Sequence, residues 1–194
     1  MVATIALAVA GCGGSHGSGT TAAVASFDGA TYPAGVRAPD FVLPDLSGQT
    51  VSLSSQRGRV VALVFLPGDC RTCVLVAQQL RGALDELGRS ANVRAILIST
   101  APDGDSRARA RAFLTKTALL GRASYLLASE ARLRPVWRAY HVTPPRIAGQ
   151  AAAEDAITVL LIDPRGLQRV GFGIEQITPE ALSHDIRLLS DGET

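Results

Sequence analysis

Three nearly unbroken apolar runs punctuate the chain: "RVVALVFL" (Arg59 to Leu66), "VRAILIST" (Val93 to Thr100) and "AITVLLID" (Ala156 to Asp163). Runs of this length without polar alternation suit strands covered on both faces. Between the first two the period changes. From Arg71 to Leu87 apolar residues recur at Val74, Leu75, Leu80, Leu84 and Leu87, and Gly88 follows, which predicts a helix and its stop. "PDGDS" makes a turn and caps a second helix through about Leu120, "ASYLLA" predicts a short strand, and Glu130 to Tyr140 predicts a helix that Pro135 weakens. "LQRVGFG" follows a "PRG" turn, and Thr178 with Pro179 opens a last helix, "PEALSHDIRLL". Ahead of all this, "DFVLPDL" and "GQTVSL" form a hairpin entry turning at Ser47 and Gly48. Strands alternating with helices, with a hairpin at the front, predict an α/β sandwich around a central mixed sheet. No internal repeat is present.

The N-terminal stretch breaks this pattern. "MVATIALAVAGC" is a short apolar segment ending in small residues, too short to span a membrane and similar to a signal peptide. Val9 to Cys12 also look like a bacterial lipobox, with Cys12 as the lipid-bearing residue, although no Lys or Arg occurs before Arg37. An unlipidated, secreted terminus is the alternative. Residues 13–32, rich in Gly, Ser, Thr and Ala, read as a flexible tether in which His16 is solvated. A coil of about 20 residues spans roughly 25 Å, enough to hold a domain off a membrane while keeping it close. The expected organisation is therefore a leader over 1–12, a tether over 13–32 and one domain over 33–194, exported and lipid-anchored at the outer face of the bacterial cytoplasmic membrane.

Composition sharpens this only a little. With 194 residues and 47% apolar content the chain has material for one buried domain, not two. The net charge of +2 is spread through the sequence, and the densest basic run, Arg107, Arg109 and Arg111, suits a solvated helix face. Nucleic-acid binding is not indicated.

Chemistry concentrates in "FLPGDCRTCVLVAQQL" (Phe65 to Leu80). Three cysteines less a lipidated Cys12 leave one pair, Cys70 and Cys73, at a strand-to-helix junction. A cysteine at a helix N-terminus sits among unpaired N–H groups at the positive end of the macrodipole, which favours thiolate. Cys70 is the expected nucleophile, and Cys73, one turn on, the resolving thiol. Arg71 reinforces the thiolate and Asp69 opposes it. A permanent structural disulfide is the bland alternative.

The segments "APDFVLPDLSGQTVSLSSQRGRVVALVF", "VRAILISTAPDGDSRARARAFL" and "VLLIDPRG" resemble the Sco/SenC family of thioredoxin-fold, membrane-tethered proteins that assemble the copper centre of cytochrome oxidase. The resemblance spans about Ala38 to Leu189 and implies a thioredoxin-like sandwich. It also implies Cys70 and Cys73 as Cu(I) ligands, with a histidine eight residues before the Asp of "LIDP" as the third. That position here is Asp155, and the cysteines have two residues between them where the family has three. Cu(I) is soft and favours thiolate and imidazole over carboxylate. His141 is a substitute ligand only if the segment after it folds over the site; otherwise it caps or decorates a helix end. His184 reads as solvent-facing, and Glu154 and Asp155 either orient a proton for thiol chemistry or are simply solvated. A peroxiredoxin site, Pro-x-x-x-Thr-x-x-Cys, is not met, because Arg71 and Val74 stand where its Thr and Cys belong. Ile157 takes the place of the proline that ordinary thioredoxins carry before the last core strand.

Three readings follow. The first is an envelope thiol-disulfide oxidoreductase that keeps partner cysteines reduced, with a cytochrome oxidase subunit as its partner and no required cofactor. The second is a Cu(I) metallochaperone using the same two cysteines. The third is a lipid-tethered, non-catalytic scaffold whose disulfide is structural.

Overall fold

The computed structural model describes residues 26–68, 70–145, 154 and 156–192. Eight strands and four helices make up the described part: β1 (Ala30–Thr31), β2 (Val42–Pro44), β3 (Thr50–Ser52), β4 (Val60–Leu66), α1 (Arg71–Leu87), β5 (Val93–Ser99), α2 (Arg107–Lys116), β6 (Ala123–Leu126), α3 (Glu130–Ala139), β7 (Thr158–Ile162), β8 (Gln168–Phe172) and α4 (Pro179–Asp191). Six strands form one mixed sheet in the order β1-β8-β7-β4-β5-β6, and β2 pairs with β3 in a separate hairpin. β4 runs parallel to β5 and antiparallel to β7, so the two longest apolar runs occupy the centre.

Alternation along β4 feeds two cores. Val60, Ala62, Val64 and Leu66 face the cluster built with α1, α2 and α4. Val61, Leu63 and Phe65 face the cluster built with the hairpin and α3. All seven β4 residues are buried, which explains the absence of polar alternation. At about 25 cal/mol per Å² of apolar surface, burying such a strand on both faces is the main stabilisation of this layer.

One predicted helix is shorter than expected, and another holds in spite of its proline. The second helix ends at Lys116, short of Leu120. Ala118 takes a left-handed φ of 55°, and the N–H groups of Leu119 and Leu120 turn back to the Leu114 carbonyl at 2.8 and 3.1 Å, which buries Leu119. Pro135 is inside α3 without ending it, as Leu133, Val136 and Trp137 bury the helix against the sheet. The packing outweighs the missing donor.

Residues ahead of Pro33 also pack against the sheet. Ala30 and Thr31 pair with Gly171 and Val170 of β8. The N–H groups of Asp28 and Gly29 donate to the buried Asp185 carboxylate of α4 at 2.8 and 3.0 Å. His184 Nδ1 lies 3.0 Å from Asp185 and 3.3 Å from Asp28, so this histidine is a half-exposed member of a clamp rather than a free surface residue. Cys12 and His16 lie outside the described residues. Among the described residues no helix is long and apolar enough to cross a membrane.

Candidate active site

β4 delivers the chain to the site. After Leu66, whose carbonyl accepts the Thr100 N–H at 2.9 Å, Pro67 and Gly68 turn it towards α1. Gly68 has φ +76°, and a Cβ there would collide with the Asp105 carboxylate, so this position requires glycine twice over. Asp105 is itself held: Ser99 Oγ donates to its Oδ2 at 2.5 Å and the Tyr125 hydroxyl at 2.7 Å. Burial first, then the facing Asp105 charge, push the Tyr125 phenol well above its ordinary value, so it stays a donor. Three side chains from β5, β6 and the loop before α2 thus form a platform beneath the turn preceding the cysteines. Asp69 lies outside the described residues.

Cys70 is the N-cap of α1, with extended backbone (φ −114°, ψ 159°), and its Sγ accepts the Cys73 N–H at 2.9 Å. The sulfur therefore sits where a Ser or Asp oxygen normally caps a helix, at the positive end of the macrodipole. Cys70 and Cys73 are joined in a disulfide with Cα atoms 5.0 Å apart. Their accessibility is unequal: Cys70 is half-buried, whereas Cys73 is fully buried in the core under α1. Only Cys70 can be reached from outside, which agrees with the nucleophile and resolving roles read from the sequence. Arg71 is exposed beside them.

The antiparallel register of β7 on β4, with Thr158 opposite Phe65, runs the chain preceding β7 towards the start of α1. That brings Glu154 to the cysteines. Thr72, the residue between Arg71 and Cys73, donates its hydroxyl to Glu154 Oε1 at 2.6 Å. The expectation of a merely solvated acid fails for Glu154, which is half-buried and bonded to the CxxC turn itself. Asp155, the position of the resembled family's histidine, lies outside the described residues.

His141 follows α3 with φ 57° and donates its backbone N–H to the Arg138 carbonyl, an exposed helix-end residue. Among the described residues, no trio of His, Cys, Asp or Glu ligand atoms close enough to share an ion includes either cysteine; the one such trio is Asp28, His184 and Asp185, already engaged in the N-terminal clamp. Ile157, in the place of the thioredoxin proline, is buried in the core beside β7.

Sequence reasoning placed the two cysteines at the strand-to-helix junction, and the structure adds their unequal exposure. It missed the Thr72–Glu154 bond and the Ser99–Asp105–Tyr125 platform. A Tyr within the predicted strand "ASYLLA", and an acid in "PDGDS" with a Ser six residues before it, were the signals.

A CxxC disulfide capping the helix that follows the central strand of a mixed sheet defines the class: a thioredoxin-like α/β protein with a dithiol site. Residues 34–167 match the AhpC/TSA family, and the chain belongs to it. No curated protein matches by sequence. Among solved structures the chain is similar to copper-bound ScoI of Bradyrhizobium japonicum, with 22% identity over 79% of this chain and 99% of that one, at a TM-score of 0.63. It is similar to yeast Sco1, with 16% identity over 82% and 97% of the two chains and a TM-score of 0.68. It also resembles the thioredoxin domain of a thiol-disulfide oxidoreductase from Bacteroides vulgatus, with 17% identity over 80% and 96%, at 0.59. The fold is thus the one that Sco proteins and thiol-disulfide oxidoreductases share.

Proposed function

We propose that this chain is a thiol-disulfide oxidoreductase of the cell envelope, tethered through Cys12, which keeps cysteines of a copper-accepting partner reduced, with a cytochrome oxidase subunit as that partner. The observation that carries the reading is the pairing of a reachable sulfur at a helix N-cap, Cys70, with a buried one three residues on, Cys73. In the dithiol form the Cys70 thiolate attacks one sulfur of the partner's disulfide, and the partner's other sulfur leaves as a thiolate. Cys73, as thiolate, then attacks Cys70 Sγ and releases the partner's second thiolate. Two electrons pass to the partner and the chain ends as the Cys70–Cys73 disulfide. The helix end stabilises Cys70 as attacking thiolate and as leaving group. The platform under Gly68 keeps that sulfur at the surface.

Cu(I) as cargo is the second reading, favoured by the copper-bound relative of the same fold. Two thiolates can hold Cu(I) linearly without a third ligand. The scaffold reading is disfavoured by the position of Cys70, since a purely structural disulfide has no need of a half-exposed sulfur at a helix N-cap.

The test pairs two assays on the reduced protein. Turnover of a protein disulfide such as insulin is expected for the wild type and abolished in Cys70→Ser. An anaerobic Cu(I) titration against a competing chelator is expected to show no tight copper. One tightly held ion, lost in either cysteine variant, together with no disulfide turnover, would replace the oxidoreductase reading by the metallochaperone.

A further inference from the structure

Two acceptors meet the first turn of α1. One is Cys70, the N-cap sulfur, which accepts the Cys73 N–H. The other is the Glu154 carboxylate, tied by the 2.6 Å bond to the hydroxyl of Thr72 in the helix's first turn. Thr72 is buried and belongs to α1, whereas Glu154 arrives on the chain entering β7, the strand beside β4, so the bond fixes a negative charge against the CxxC turn from outside it.

We propose that Glu154, held in place by Thr72, sets the redox poise of the Cys70–Cys73 pair by opposing the negative charge that forms at Cys70 on reduction. The inference rests on the reading that this pair cycles between dithiol and disulfide. In the disulfide form neither sulfur carries charge. Reduction places a second anion at the helix end. Like charges held on one half-buried turn disfavour each other, so the carboxylate raises the free energy of the reduced form and lowers the reduction potential. The consequence is a stronger reductant, which suits a protein that hands electrons to a partner disulfide. Thr72 contributes to the geometry: without its hydroxyl the carboxylate is held less firmly against the turn, and water screening weakens its effect. Of the other charges near this end among the described residues, Arg71 is exposed and of opposite sign, and Asp105 accepts from Ser99 and Tyr125. Glu154 is a positioning residue in this scheme, since it acts on the sulfurs through the field and not by contact.

The experiment is equilibration of the full chain with glutathione buffers at pH 7, in which the protein disulfide plus two reduced glutathiones gives the dithiol plus one oxidised glutathione. Glu154→Gln keeps the acceptor for Thr72 and removes the charge. It is expected to shift the equilibrium towards dithiol at least about threefold, which is about 14 mV for a two-electron couple. Thr72→Val is expected to shift it in the same direction and Thr72→Ser to restore the wild-type value. A wild-type equilibrium in Glu154→Gln, or equal values for Thr72→Val and Thr72→Ser, overturns the inference while leaving the oxidoreductase reading in place. Failure of the wild type to exchange with glutathione at all overturns that reading and this one with it.

Discussion

Tyr125 shows how one side chain far from the cysteines in sequence conditions them. Its hydroxyl donates to Asp105, and Asp105 faces Gly68 in the turn that aims Cys70. Burial, then the Asp105 charge, raise the Tyr125 phenol, and burial raises Tyr140 likewise. A raised folded-state value means that the neutral phenol is favoured in the folded chain. The associated stability is complete below the ordinary tyrosine value near 10 and is lost as pH climbs from there through the folded value. Tyr125→Phe is expected to cost about 1–2 kcal/mol at neutral pH, because a carboxylate loses a donor. It should also make the loss of stability above pH 10 shallower by one proton, about 1.4 kcal/mol per pH unit. Urea midpoints collected at pH 7 and through the alkaline range measure both. An alkaline slope equal to that of the wild type would remove Tyr125 from this role.

At the scale of the element, α1 is the part most legible in the sequence. Its apolar spacing, the Gly88 stop and the cysteine at its start all follow from local rules, and the structure places the helix at Arg71–Leu87 as expected. The N-cap role of Cys70 yields a prediction separate from catalysis. Cys70→Ser and Cys70→Ala both lose the disulfide, but Ser keeps an acceptor for the Cys73 N–H. Ser is expected to be the more stable of the two by about 1 kcal/mol, in thermal or urea unfolding. Equal stabilities would mean that the Sγ to N–H contact does not cap the helix. If the expectation holds, loss of turnover in Cys70→Ser belongs to the missing thiol and not to a damaged helix. Elements that depend on distant partners were not legible in this way. β1 is two residues long and exists because Ala30 meets Gly171, a neighbour brought by the tertiary fold, while Gly29 lies so close to Val170 that no side chain fits. α2 stopped early for a similar reason: Leu119 is drawn into the core, and the chain closes on Leu114 to let it in.

For the whole molecule, the mixed-sheet sandwich and the location of the dithiol were readable because three apolar runs and a CxxC after the first of them leave few alternatives. Glu154 was not readable. "AAAEDA" has no periodicity, and only the pairing of β7 on β4 takes its acid to the start of α1. The site is therefore assembled from five places in the chain: the β4–α1 junction, the end of β5, the loop before α2, β6, and the entry to β7. Such an arrangement holds one sulfur at the surface and the other beneath it, and the proposed chemistry depends on that difference in access. The most direct test is to incubate reduced Cys73→Ser with a disulfide-bonded protein and map the linked sulfur by mass spectrometry. The account predicts an accumulating mixed disulfide through Cys70, since the buried resolving thiol is gone. Full reductase turnover by Cys73→Ser, with no trapped species, would contradict it.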